Sequence, residues 1–171
     1  MDTKLAESLD KIFKAYDIRG TYPDQISAEA CRAIGVGFAS FIAEIEPETA
    51  SVVVARDMRP SGPELVAAFS EGVTSQGLDV VDAGMGSTDL LYYASGTLGM
   101  PGAMFTASHN PAGYNGIKMC ASGAAPIGQD SGLDVIKRVA VEGLAPAAST
   151  GTVSTADMLD GFAQHLSLIH I

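Results

Sequence analysis

Residues 51–81 read SVVVARDMRPSGPELVAAFSEGVTSQGLDVV, and this stretch decides the fold class. Ser51–Ala55 is rich in β-branched residues and shows no polar alternation, the pattern of a strand buried on both faces. Ser61-Gly62-Pro63-Glu64 has the spacing of a capping box, so it predicts a helix start. Leu65, Val66, Phe69 and Val73 recur at helical spacing behind it, and Gly77 predicts the stop. Leu78–Val81 is apolar and extended again. A strand, a helix and a second strand in so short a span form a crossover unit, and parallel neighbours in a sheet require such a crossover.

The pattern continues in both directions. On the N-terminal side, Ile12–Tyr16 is read as a first strand, followed by a turn with Gly and Pro through Pro23. Ser27 is a predicted N-cap for a helix carrying Cys31, Ile34, Phe38, Phe41, Ile42 and Ile45 inward. Gly35 and Gly37 weaken that helix locally, and close packing against the sheet accounts for them. On the C-terminal side come a Gly-rich turn at Ala83–Gly86, a helix from about Asp89 to Thr97, and a strand at Gly102–Phe105. A polar loop then runs through Gly116 before Ile117–Cys120 becomes extended. Ser131 is read as the cap of a helix with Leu133, Ile136 and Val139 inward and Gly143 as its stop. The expected fold is α/β, a three-layer α/β/α sandwich around a mostly parallel, mixed sheet of about four strands, occupying residues 1–142. Residues 143–156 are nearly all Ala, Ser, Thr, Gly, Pro and Val, the composition of a linker. Leu159, Phe162, Leu166 and Ile169 resume a helical pattern, so 143–171 is expected to be a linker and the start of a helix leading to a second domain.

Composition narrows the function. The chain has 171 residues, 47% hydrophobic and 18% charged, enough for one domain with a real core. Its formal net charge of −10 opposes nucleic-acid binding. No apolar run is long enough to span a bilayer, and the first residues lack the apolar stretch of a signal peptide; neither a membrane nor a nucleic acid is expected as a partner, and a cytoplasmic location is. Cys31 and Cys120 stand alone, without metal-site spacing, and are read as core residues. Gly84-Met85-Gly86 is a lone glycine cluster and weak ground for a nucleotide site.

Chemistry gathers at the expected strand ends, where open α/β sheets bind ligands. Tyr16-Asp17-Ile18-Arg19-Gly20, Arg56-Asp57-Met58-Arg59 and Thr106-Ala107-Ser108-His109-Asn110-Pro111 sit there, with Lys118 just beyond. Cations are scarce in this chain: from Ala33 to Ile117 the only Lys or Arg residues are Arg56 and Arg59. A hydroxyl, an imidazole and a few fixed cations on one rim suit an anionic substrate. Arg56, Asp57 and Arg59 fit either a structural ion pair at the strand-to-helix turn or a substrate contact. A serine hydrolase built on Ser108 and His109 is disfavoured, because adjacent residues are poorly placed for proton transfer and there is no G-x-S-x-G elbow.

The thirteen-residue stretch Thr106–Lys118, TASHNPAGYNGIK, resembles the active-site signature of the α-D-phosphohexomutase superfamily. Phe13–Gly20, FKAYDIRG, is similar to the opening motif of its phosphomannomutase/phosphoglucomutase branch, and Arg56–Leu65 and the turn before Leu90–Tyr93 match in order and spacing. The resemblance covers residues 12–165 and only the first of the family's four domains. It implies a reversible interconversion of hexose 1-phosphate and 6-phosphate, with Ser108 as the phosphoserine and a bisphosphorylated sugar as intermediate. It implies His109, Lys118 and Arg19 at the reacting phosphate, and Tyr16 and Asn110 in positioning the substrate and the loop. Arginine stays protonated, so Lys118 is favoured for proton transfer and Arg19 for charge. The implied metal is Mg²⁺, held through the phosphate on Ser108 and by aspartates of the second domain, and the implied activator is glucose 1,6-bisphosphate or mannose 1,6-bisphosphate. The partners implied are a hexose phosphate and domains 2–4 of the same polypeptide, without which this chain is expected to be inactive. The alternatives are a stand-alone module that binds phosphate or sugar phosphate without turnover, and a phosphoglucosamine mutase.

Overall fold

In the computed structural model, which describes residues 3–168, helices flank both faces of a seven-stranded mixed sheet. The chain runs α1 (Thr3–Ile12), β1 (Ile18–Thr21), α2 (Ala28–Ile45), β2 (Ser51–Arg56), α3 (Gly62–Ser75), β3 (Asp79–Met85), α4 (Thr88–Leu98), β4 (Gly102–Phe105), β5 (Tyr114–Ala121), β6 (Ala125–Ile127), α5 (Leu133–Glu142), β7 (Val153–Thr155) and α6 (Leu159–Leu168). The strand order is β1-β5-β4-β2-β3-β7, with β6 on β5. β2, β3, β4 and β7 pair in parallel, whereas β1, β4 and β6 lie antiparallel to β5. The sheet has seven strands where the sequence predicts about four, and β6 and β7, three residues each, are too short to carry periodicity.

Strand β2 explains the layering. Val52 and Val54 join the larger core with Leu65, Phe69, Ile34 and Phe38, while Val53 and Ala55 face Leu91, Ala94 and Met104 on the other side. This is period-two alternation with both faces apolar, as expected of a central strand covered by helices. The larger core carries an aromatic series: Phe38 and Phe69 have ring centroids 5.7 Å apart, and Phe69 meets Phe105 edge-on at 5.4 Å. Phe105 ends β4, so this packing fixes the strand end from which the 106–116 loop departs.

Four local expectations change. Ile12–Tyr16 is not a strand; Leu9 and Ile12 are buried on a helix that ends at Ile12, and the extended segment begins at Ile18. The register of Leu5, Leu9 and Ile12 is helical, and it outweighs the short apolar run that follows. Ser61 forms no capping box: its Oγ accepts from Asn115 Nδ2 at 2.8 Å, and Glu64 accepts from the Tyr22 hydroxyl at 2.6 Å. Ser131 lies in a 3-10 turn and accepts from the Gly128 amide instead of capping α5, which starts after Gly132. Gly35 and Gly37 pack closely not on the sheet but on helices, against the backbone of Phe69 in α3 and Ile136 in α5. Ser27 does cap α2, its Oγ accepting from Ala30 N.

The segment read as a linker is tied to the domain along its length. The amides of Ala147 and Gly151 donate to Ser75 and Thr74 carbonyls, and β7 adds to the edge of β3. Helix α6 packs on α4 through Phe162 and His165, each against Tyr93. Ile169, read as a helical position, lies outside the described residues. Asp79 holds the start of β7, accepting from both the amide and the hydroxyl of Thr152, and these two bonds keep its pKa below the usual carboxylate value of 3.8. A depressed folded-state pKa gives stability that is present above 3.8 and lost as pH falls through the lower folded value. Amide protection at Val153–Thr155 is therefore expected to weaken below that window, as read by nuclear magnetic resonance, and to be insensitive to pH there in Asp79→Asn.

Candidate active site

The site is assembled at the junction of β1, β5 and the loop after β4. Ile18 pairs with Ile117, and Arg19 lies opposite Gly116. Extending that antiparallel register by one residue brings Asp17 opposite Lys118, although the two are far apart in sequence. Asp17 Oδ2 accepts from Lys118 Nζ at 3.1 Å and from Arg19 Nη2 at 2.6 Å. All three side chains are about a quarter exposed or less, so two cations share one partly sheltered carboxylate oxygen. The Arg19 Nε is buried and finds no acceptor among the described residues, an unsatisfied donor beside this cluster. Gly116 must be glycine for these strands to meet, because a Cβ there would run into the Ile18 carbonyl.

The loop itself is held from behind. Thr106 N donates to the Gly116 carbonyl at 3.0 Å, and the Ser108 amide donates to Thr106 Oγ1 at 2.9 Å. Asn110 closes the turn through its amide and its Nδ2, both donating to the Ala107 carbonyl. Ser108 and His109 are exposed at the tip, and Ser108 has φ of 49°, a left-handed conformation uncommon for a residue other than glycine. Such a backbone persists only where its surroundings hold it, and it concentrates at functional positions.

Arg19 and Lys118 share Asp17 on β1 and β5, and the loop that carries Ser108 and Asn110 leaves β4 where Phe105 pairs with Ile117 of β5. Tyr16 is 82% exposed and borders a shallow groove with Ile127 and Gly128. Arg56 turns away into a groove with Pro63, Val66 and Asp82. Arg59 is buried, ion-paired with Asp57 at 3.2 Å, and directed into the loop. Asp17 stands in the Tyr16–Gly20 stretch with no role assigned from sequence, and the register of β1 on β5 reveals it as the residue that organises both cations. No cluster of three or more His, Cys, Asp or Glu side chains that could hold a metal occurs among the described residues. Asp17 and Asp57 are already engaged with cations, so this donor set does not by itself fit a Mg²⁺ ion. Cys31 and Cys120 are free and buried, and burial raises the pKa of both thiols. No helix among the described residues is long and apolar enough to cross a membrane.

An α/β/α sandwich that raises a serine on a tightly bonded loop at the end of a central strand defines the class of domain. Residues 10–144 match the family model described as phosphoglucomutase/phosphomannomutase, alpha/beta/alpha domain I, and the chain belongs to that family as its domain I. It is 36% identical over 158 residues to a phosphomannomutase of Salmonella typhimurium, covering 90% of this chain and 34% of that protein. A phosphoglucomutase of Neisseria meningitidis is 36% identical over 157 residues, covering 91% and 34%. Among solved structures, a phosphoglucomutase/phosphomannomutase family protein from Burkholderia thailandensis superposes with a TM-score of 0.80 at 34% identity, covering 97% of this chain and 36% of its own. The chain therefore spans about a third of the length of the relatives it matches.

Proposed function

We propose that this domain carries the phosphoryl-accepting serine of a hexose phosphate mutase and that Ser108 Oγ is the acceptor. The observation that supports this most strongly is the placement of Ser108, exposed at left-handed φ on a loop bonded to the strand that bears Lys118 and pairs with Arg19. Phosphoryl transfer needs positioning and charge neutralisation more than covalent help. A phosphoserine brings about two negative charges near neutrality, and Arg19 and Lys118 are the cations placed to offset them. In the transfer from enzyme to sugar, the bond from phosphorus to Ser108 Oγ breaks as a bond to the sugar hydroxyl oxygen forms. One proton leaves that hydroxyl and one arrives at Oγ; Lys118 is the proton-transfer group, Arg19 the fixed charge, and His109 lines the same phosphate.

Full interconversion of hexose 1-phosphate and 6-phosphate, with glucose 1,6-bisphosphate or mannose 1,6-bisphosphate as activator, belongs to this reading together with further domains like those of the longer relatives. So does a cytoplasmic location. Mg²⁺ is the metal of the family; a phosphate on Ser108 would supply one ligand, and the residues present complete no site for it. In a single-turnover assay of phosphoryl uptake from glucose 1,6-bisphosphate by the domain joined to such further domains, Lys118→Met is expected to slow transfer by roughly a hundredfold or more. Uptake by Lys118→Met at the unmodified rate would remove Lys118 from the chemistry.

A further inference from the structure

Arg59 is 7% exposed, and all five of its side-chain protons have acceptors within the domain. Nε donates to Asp57 Oδ2 at 3.2 Å. Nη1 donates to the carbonyls of Pro111 and Tyr114, each at 2.8 Å. Nη2 donates to the carbonyls of Ser108 at 3.0 Å and Asn110 at 2.8 Å. Four carbonyls of one loop thus converge on a single planar cation. Asp57 completes the cradle: Oδ1 accepts from the Arg59 amide at 3.0 Å, and Oδ2 also accepts from Thr106 Oγ1 at 2.8 Å.

Both backbone polar groups of Ser108 lead to this ion pair. Its carbonyl reaches Arg59 directly, and its amide reaches Asp57 through the Thr106 hydroxyl. We propose that Arg59, paired with Asp57, is the positioning residue that holds Ser108 in its left-handed, outward conformation for phosphoryl transfer, and that it makes no contact with substrate. The inference rests on the reading of Ser108 as the phosphoryl acceptor. It settles the choice left by the sequence between an ion pair and a substrate contact, because a guanidinium with no free proton has none to offer a phosphate. A lysine cannot replace it: one ammonium offers three donors from a point and cannot reach four carbonyls arranged around a plane.

The test is single-turnover transfer from glucose 1,6-bisphosphate to Ser108 in the presence of Mg²⁺, followed by quenching and intact mass, with hydrogen exchange of residues 106–116 measured in parallel. Each variant is assayed at a temperature where it is fully folded. Arg59→Lys is expected to slow the maximal transfer rate on the order of a hundredfold, without raising the bisphosphate concentration for half-maximal rate. Exchange should quicken in the loop and stay slow in β2 and β4. Thr106→Val should behave in the same way and Thr106→Ser should restore the rate, which keeps the proposal testable if Arg59→Lys fails to fold. Transfer at the unmodified rate by folded Arg59→Lys or Thr106→Val would overturn it. So would a raised half-saturating concentration with an unchanged maximal rate, since that marks a substrate contact. These assays use the domain joined to further domains like those of the longer relatives; if that protein, unmodified, takes up no phosphate on Ser108, the reading of Ser108 fails and this inference falls with it.

Discussion

Ser108→Gly is expected to abolish phosphoryl uptake completely while leaving unfolding free energy within about 1 kcal/mol of the unmodified chain. Ser108 is exposed, and its hydroxyl makes no hydrogen bond among the described residues, so removing it forfeits little packing or bonding. Its backbone bonds to Thr106 and Arg59 do not depend on the side chain. Glycine takes a φ of 49° without the steric cost that a Cβ imposes, and the added freedom of the unfolded chain works against that gain. Function and stability are thus uncoupled at this position. Urea titration of the chain reads the stability, and intact mass of the chain joined to further domains, after exposure to glucose 1,6-bisphosphate, reads the function. Uptake that persists in Ser108→Gly would move the acceptor elsewhere, and a loss of several kcal/mol would show that the side chain is structural.

The second large effect lies behind the site. Helices α2 and α3 cross at a pair of glycines: a Cβ on Gly35 would meet the Phe69 carbonyl, and one on Gly72 would meet the Arg32 carbonyl. Both obstacles are helix backbone, which cannot rotate aside as a side chain would. Gly72→Ala is expected to cost roughly 3 kcal/mol, at the upper end of overpacking substitutions, despite alanine's better helix propensity. The damage should reach the site, because α3 starts just after Arg59 and carries Phe69 against Phe105 at the root of the loop. A fall in urea midpoint, with unchanged slope, is the expected result; no loss of stability would mean that the helices separate without penalty.

These two positions show what the sequence makes legible and what it does not. The central strands and most helices follow from local pattern: Ser51–Ala55 and Gly102–Phe105 are apolar runs, and Ser27 stands where a cap is needed. Ser108, Asn110, Arg19 and Lys118 could be singled out because they occur in a specific motif and because cations are rare here. What stayed hidden depends on contacts between distant segments. Asp17 acquires its role only when β1 pairs with β5, and Arg59 only when the loop folds over the start of α3. Ser61 and Glu64 have the spacing of a capping box, yet tertiary partners, Asn115 and Tyr22, take their side chains instead. The stretch 143–156 has linker composition, but the unpaired edge of β3 and the carbonyls at the end of α3 bind it. Local composition cannot report an open sheet edge elsewhere in the chain.

The central claim is that one hydroxyl holds phosphate in transit, and locating that phosphate tests it most directly. The chain, joined to further domains like those of the longer relatives, is loaded with glucose 1,6-bisphosphate and Mg²⁺, digested, and sequenced by tandem mass spectrometry before and after mixing with mannose 1-phosphate or glucose 1-phosphate. A single phosphate on Ser108 that passes to the added sugar is the predicted result. A phosphate on another residue, or one on Ser108 that no hexose phosphate removes, would contradict the account.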